Sequence, residues 1–228
     1  GDRPRGVAGY LDMLAQDGVG TLAQPGSYRR LLESVSRHPM MGLYLSHLRN
    51  QKENARTGRV PDENYAREVM QLFSIGLHEL NLDGTARLSG AERVETYGAD
   101  DIAGLAKVFT GFALDCPAWP DNNCFFNSVG SDEGSQPFAD RILRPMRGYP
   151  QYHSVSEKRF LGTTVPAGTP GRQAMTMAMD TLFNHPNVGP FFARQMIQRL
   201  VTSNPSPAYV ARVASKFNDN GRGVRGDL

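Results

Sequence analysis

The chain has 228 residues, with 25 Lys and Arg against 23 Asp and Glu. Its net charge is +2, and no run of like charges reads as a nucleic-acid arm or a polybasic membrane anchor. The length suffices for a sizeable core in one domain or at most two, no apolar stretch reaches the roughly 20 residues of a membrane helix, and "GDRPRGVAGY" lacks a signal peptide's apolar segment. These features predict a soluble chain with no nucleic-acid partner and no transmembrane segment.

Along the chain, Tyr28, Leu31, Leu32 and Val35 recur at helical spacing after Ser27, a good N-cap residue, and His38-Pro39 ends that helix. Met41, Tyr44, Leu45 and Leu48 continue a second short stripe, and "RNQKENARTGR" then reads as a solvated loop. Pro61 and Asp62 open the next helix, expected to reach about Leu80 with Tyr65, Val69, Leu72, Phe73 and Gly76 on its apolar face. Turn signals at Asp83-Gly84 and Ser89-Gly90 precede a helix capped by Asp100 or Asp101 that carries Ile102, Leu105, Ala106 and Phe109 and ends near Gly111.

Residues 112–168 hold no long periodic run. They read as a loop-rich insertion containing Trp119, "GSDEGSQPF" and "MRGYPQYHSVSEKRFLGTTVPAG", with a short β-hairpin around 158–165. Thr169-Pro170 starts a helix with Met175, Ala178, Met179 and Leu182 inward. Another covers about 190–202 with Phe192, Met196, Ile197 and Leu200, and a last one follows Ser206-Pro207 with Val210, Val213 and Phe217. The expected fold is mainly α, an irregular multi-helix bundle with long loops. "LLESVSRHPMM" and "AMDTLFNHPNV" both end on His-Pro, which hints at an internal repeat or marks two good helix stops.

Several residues could carry chemistry. At 100° per residue Asn64, Glu68 and Gln71 share one narrow sector flanked by Arg67, at the border of the apolar stripe. Glu68 could act as general acid or base there, with Asn64 and Gln71 orienting a substrate or water; equally, Glu68 and Arg67 could tie neighbouring loops. His153, beside Tyr152 and upstream of Glu157 and Lys158, lies in a stretch that reads as too polar for core. "ELNLDG" begins like a calcium loop but has Gly90 at the twelfth position, so a turn is the better reading. Arg222 and Arg225 in "GRGVRGD" could cradle an anion, or could link to a following helix capped by Asp227. Cys116 and Cys124 fit either a short disulfide loop or two free thiols. No second Cys/His pair and no HExxH supports a metal, and no P-loop, G-x-S-x-G or dinucleotide fingerprint points to a cofactor, whose identity the sequence leaves unknown.

"NYAREVMQLFSIGLHELNLDGT", "DIAGLAKVFTGF", "YHSVSEKRFLGTTVPAG" and "HPNVGPFFARQMIQRLVTSNPSPAYVARVASKFNDNGRGVRGDL" together resemble the bacterial family catalogued as domain of unknown function 1800. The resemblance runs from about residue 28 onward and implies a helical, exported protein, of which 1–228 would be the central and C-terminal part of a longer family domain. Export favours the Cys116–Cys124 disulfide. The family's Asn-Tyr-Ala-Arg-Glu helix corresponds to Asn64, Tyr65, Ala66, Arg67 and Glu68, and Gln71 stands where many members have Glu. An amide cannot exchange a proton as a carboxylate does. Two functions follow as expectations: a cell-envelope or extracellular binding or assembly module with envelope protein partners, or a hydrolase on an extracellular polymer such as a polysaccharide, with Glu68 as acid or base and Arg67 or His153 assisting.

Overall fold

The computed structural model describes residues 4–126 and 140–228; "GSDEGSQPF" falls outside them. Among the described residues, eight α-helices dominate and the strands form three short antiparallel pairs, so the protein is mainly helical. None of these helices is long and apolar enough to cross a membrane.

Helix α1 (Pro4–Leu14) has no counterpart in the periodicity reading, and it packs on α2 (Tyr28–Arg37) and α3 (Pro39–Tyr44). Ser27 caps α2 as expected, its hydroxyl oxygen accepting the Arg30 N–H. The stripe assigned to the next helix needs correction, because α3 ends at Tyr44 and Tyr44 is exposed. The two His-Pro sites do more than stop a helix. His38 Nδ1 accepts the Met40 N–H at 3.2 Å, and His185 Nδ1 accepts the Asn187 N–H at 3.2 Å. Each imidazole therefore satisfies a donor at the start of the following helix, α3 in one case and α7 (Val188–Leu200) in the other.

Helix α4 spans Asn64–Gln71, much shorter than the expected 61–80. Asp62 Oδ1 accepts the Asn64 N–H at 2.8 Å and sets the start. At the other end the Ser74 hydroxyl donates to Val69 O at 2.5 Å, and Gly76 takes a left-handed φ of 70° that a side chain would resist. Tyr65, Ala66, Val69 and Met70 are fully buried, whereas Leu72, assigned to the apolar face, is 58% exposed. The chain turns before Leu72 can reach the core.

Helix α5 (Ala99–Val108) has the expected acidic start, with Asp101 Oδ2 accepting the Gly98 N–H at 2.8 Å. It lies against β5 (Lys158–Phe160), which pairs with β6 (Thr163–Val165) as the predicted hairpin. Gly104 makes that approach possible, because a Cβ there would overlap the Arg159 carbonyl. Strands β1 (Leu88–Ser89) and β2 (Glu92–Arg93) form a hairpin over Gly90, and Asp83 serves a turn, accepting the Thr85 N–H at 3.0 Å.

The insertion is clamped by β3 (Phe112–Ala113) pairing with β4 (Arg147–Gly148), residues far apart in sequence. Ala113, Cys116, Cys124, Phe125 and Tyr149 form a small core of their own, with Tyr152 stacked on Phe125. The two cysteines are at disulfide distance, with Cα atoms 5.9 Å apart. Closing a loop of about nine residues removes roughly 2.5 kcal/mol of unfolded-chain entropy. Reduction should therefore lower the melting temperature by about 5–10 °C; a shift under about 1 °C would mean that packing on Phe125 alone holds the loop.

Helices α6 (Gly171–Asn184) and α8 (Pro207–Asn218) match their predicted faces, and α8 its cap, Ser206 accepting the Tyr209 N–H; α6 begins one residue later than Thr169-Pro170 suggests, with Pro170 as N-cap and no side-chain cap. In α7 the inward side is Val188, Gly189, Pro190, Ala193 and Ile197. Met196 and Leu200, expected inside, are exposed because Ala193 and Ile197 pack on Val210 and Ala214 of α8 instead. The main core joins α2, α4, α5 and α6 through Leu32, Tyr65, Val69, Leu105, Ala178 and Met179.

Candidate functional site

The Asn-Tyr-Ala-Arg-Glu segment is built around Tyr65. Its ring stacks on His47 at 3.8 Å between centroids, and its hydroxyl donates to Ser36 Oγ at 2.7 Å. With Tyr65 fixed inward, Asn64 and Arg67 point outward and are exposed. Arg67 pairs loosely with Glu63 at 3.8 Å, across two half-exposed side chains, a contact that contributes a few tenths of a kcal/mol. Gln71 Oε1 receives a long contact from the Tyr97 hydroxyl at 3.5 Å. Glu68 is half-buried, and its Oε2 is enclosed with no hydrogen-bond partner. The cleft beside α4 is lined by Glu63, Arg67, Tyr97 and Glu95, and Glu68 is not among its lining residues.

His153 and Lys158 occupy a different region, and neither is the surface residue that a polar stretch suggests. His153 is 5% exposed and Lys158 fully buried. The His153 Nδ1–H donates to Thr110 O at 2.8 Å, which leaves Nε2 as an enclosed acceptor without a partner. Burial lowers the imidazole pKa against the Thr110 hydrogen bond, which raises it. The Lys158 ammonium donates to Ser154 O at 2.9 Å and Ser156 O at 3.1 Å. Burial lowers its pKa, and the charge of Glu53 opposes that shift.

Glu53 belongs to the stretch read as a solvated loop, and here the structure corrects the sequence reading. Its Oε1 accepts from the hydroxyls of Ser154 (2.9 Å) and Ser156, so the 50–54 segment is fastened to "HSVSEK". Burial raises the Glu53 pKa, but the serine hydrogen bonds and the Lys107 charge outweigh it and hold the carboxyl below its ordinary value. Nearby, the Asn50 side chain binds both Asp62 N (2.9 Å) and Asp62 O (3.0 Å) and thereby sets the entry to α4.

Arg225 is engaged at helix ends. Its guanidinium donates to Phe183 O and His185 O, both at 3.1 Å, and to Asn218 Oδ1, and it lies over the rings of Phe183 and Phe217. It neutralises the carbonyl-rich end of α6 and locks α8 to it. The exposed Arg222 sits in a turn organised by Asp219, whose Oδ1 accepts from Gly221 (2.7 Å) and Gly223 (2.9 Å).

A cleft of about 580 Å³ lies between β4, residues 149–155 and the start of α6. Its lining includes Arg37, Arg147, Arg172, Trp119, His153 and Thr169 and, among the described residues, no carboxylate. The acids lie behind it. Asp115 takes Arg147 Nε at 2.7 Å and Arg144 at 3.1 Å, and Glu33 takes Arg172 at 2.7 Å and Arg29 at 2.9 Å. Burial opposes ionisation of Asp115, but these arginines hold its pKa below the ordinary value. Arg37 donates to Met146 O at 3.3 Å, while its Nε is enclosed without a partner. Burial and the charges of Arg172 and Arg147 lower its pKa. Trp119, at the tip of the cysteine-closed loop, is 40% exposed, with its indole N–H on Gly148 O at 2.9 Å and the Arg147 guanidinium 5.2 Å from the ring centre. Helix α6 opens onto this cleft at Gly171 with Pro170 as N-cap and no side-chain cap.

Of the residues predicted from sequence, only His153 lines this cleft. Arg37, Arg147 and Arg172 escaped notice, although Arg172 left a trace: a cation in the first turn of a helix opposes the dipole and calls for a reason.

These features define a mainly helical protein with a disulfide-closed loop and a cationic, tryptophan-rimmed cleft. The chain belongs to the family described as protein of unknown function (DUF1800), whose model matches residues 9–228. No curated protein and no solved structure matches it.

Proposed function

We propose that this protein is a binding module for an extracellular or cell-envelope polymer, working through the cleft of Arg37, Arg147, Arg172, Trp119 and His153. The observation that carries this reading is the convergence of three guanidinium groups and a rim tryptophan on a cavity of about 580 Å³, within the usual range for ligand pockets. The disulfide-distance cysteine pair supports export, since such pairs persist in oxidising compartments.

The hydrolase reading draws on one observation, the enclosed and unpartnered Oε2 of Glu68. Glycoside hydrolysis in its common form needs two carboxyl groups flanking the bond, and the cationic cleft has none in its lining among the described residues. The two readings separate in one experiment. The protein is run through gels containing a panel of extracellular polysaccharides, and the same mixtures are assayed for new reducing ends. Retardation by at least one polymer, lost in Trp119→Ala and kept in Glu68→Gln, with no reducing ends formed, is the expected result. Reducing ends that vanish in Glu68→Gln would replace the module with an enzyme, and retardation by none of the polymers would refute binding.

A further inference from the structure

The charge arrangement of the cleft narrows the ligand, on the premise that the cleft is the binding surface. Arg147 and Arg172 are half-exposed, at 48% and 53% of their side chains, so each presents guanidinium N–H groups beyond those bound to Asp115 and Glu33. Arg37, whose Nε is enclosed, adds its positive charge to the lining, and the uncapped start of α6 adds backbone N–H groups and the positive end of a 14-residue helix. Among the described residues, every charged group in the lining is a cation. Asp115 and Glu33 offset part of the charge of Arg147 and Arg172, so an anion is held by the guanidinium N–H groups those acids leave free together with the excess charge of Arg37.

Two further facts distinguish the anion's carrier. The volume far exceeds that of an inorganic ion, and Trp119 offers a flat ring face at the rim with its N–H already committed to Gly148. A ring that stacks on indole while its carboxylate reaches the arginine forks satisfies both features. A nucleic acid fits poorly, because the chain's net charge is only +2 and this is a compact pocket rather than an extended basic stripe. We infer that the cleft binds a carboxylate-bearing saccharide, a uronate unit of an acidic polysaccharide, with the sugar ring on Trp119 and the carboxylate between Arg147 and Arg172.

Trp119 is the only tryptophan of the chain, so its fluorescence reports on the cleft directly. The intact protein is titrated at low salt with the trimers of galacturonate, glucuronate and mannuronate, with their neutral methyl esters, and with sodium sulfate. At least one acidic trimer should change the Trp119 emission, its ester should bind at least tenfold more weakly, and added salt should weaken the acid but not the ester. Arg172→Gln and Arg147→Gln, checked for unchanged circular dichroism, should each weaken the acidic trimer about tenfold or more. Equal binding of acid and ester would overturn the uronate assignment while leaving a saccharide-binding cleft. Sulfate reproducing the response at matched charge would reduce the site to a plain anion site and also overturn it. Silence with all three acids would overturn it too, and the polysaccharide panel then decides separately whether the module reading survives.

Discussion

Asn187→Ala should destabilise the protein by about 3–5 kcal/mol, because it leaves the buried Ile75 carbonyl unpaired and removes the side-chain partner of two further backbone groups, His78 O and Leu80 N–H. Asn187 is 3% exposed, and its amide donates to Ile75 O at 2.5 Å and His78 O at 3.0 Å while its carbonyl accepts the Leu80 N–H at 2.6 Å. This one side chain, at the α6–α7 junction, holds residues 75–80 in an irregular path where sequence periodicity predicts continued helix. The expected drop in melting temperature is roughly 10–15 °C, and the Leu80 amide should lose its protection from hydrogen exchange. Asn187→Asp retains an acceptor for Leu80 but turns a carboxylate oxygen toward two carbonyls, so it should cost at least as much. A loss under about 1 kcal/mol, with Leu80 still protected, would mean that the bridge between His78 and Glu95 fixes the segment instead.

The same residue shows where sequence reasoning stops. Local rules located α2, α5, α6 and α8 well, because the side chains that satisfy their first turns (Ser27 and Ser206 as caps, Asp101 reaching back from inside α5 to its N-cap Gly98) and the apolar spacing act within a few residues. They failed for α4, where the end is set by Ser74, by Gly76 and by a side chain more than a hundred positions away. They failed again for Glu53 and Asn50, whose composition matches a solvated loop but whose partners, Ser154, Ser156 and Asp62, are supplied by the fold. The cleft was legible only in fragments. Trp119, "MRGYP" and "TPGR" lie on three separate segments, and the pairing of Ala113 with Arg147 and the packing of α2 beside α6 bring them together. The α4 flank was visible because periodicity exposes a polar sector on one helix; a site assembled from four segments leaves no such pattern. What periodicity could not supply for Glu68 was its surroundings, and these turn out to be neither a ring of donors nor the cationic cleft.

Stability should fall steeply between about pH 6.5 and pH 4, driven by histidines that the fold keeps neutral. His47 stacks on Tyr65 and donates from Nε2 to Ser36 O at 2.9 Å, while Nδ1 is enclosed with no acceptor to receive a second proton's hydrogen bond. Burial pushes its pKa down to about 4, against the Ser36 hydrogen bond and the Asp62 charge, which raise it. His38 is likewise lowered to about 4 by burial, and protonating its Nδ1 would remove the acceptor that caps Met40. For each ring the unfolded chain takes up a proton near the ordinary histidine value of about 6.5, before the folded protein does. The stability from keeping these rings neutral is therefore complete above that value, declines as pH falls, and is exhausted once pH passes below the folded pKa. A gap of about 2.5 units is worth about 3 kcal/mol per ring, so the pair should cost about 6 kcal/mol between pH 7 and pH 4. His185, lowered mainly by burial and capping Asn187 through Nδ1, adds to the same limb. Urea midpoints measured across this range in wild type and in His47→Gln test the assignment. The variant starts less stable at pH 7, having lost its stacking on Tyr65, but its acid limb should be shallower by about 3 kcal/mol. Parallel limbs in the two proteins would shift the acid sensitivity to the carboxylates held by arginine, Asp115 and Glu33, whose contributions are lost as pH falls through their lowered pKa values.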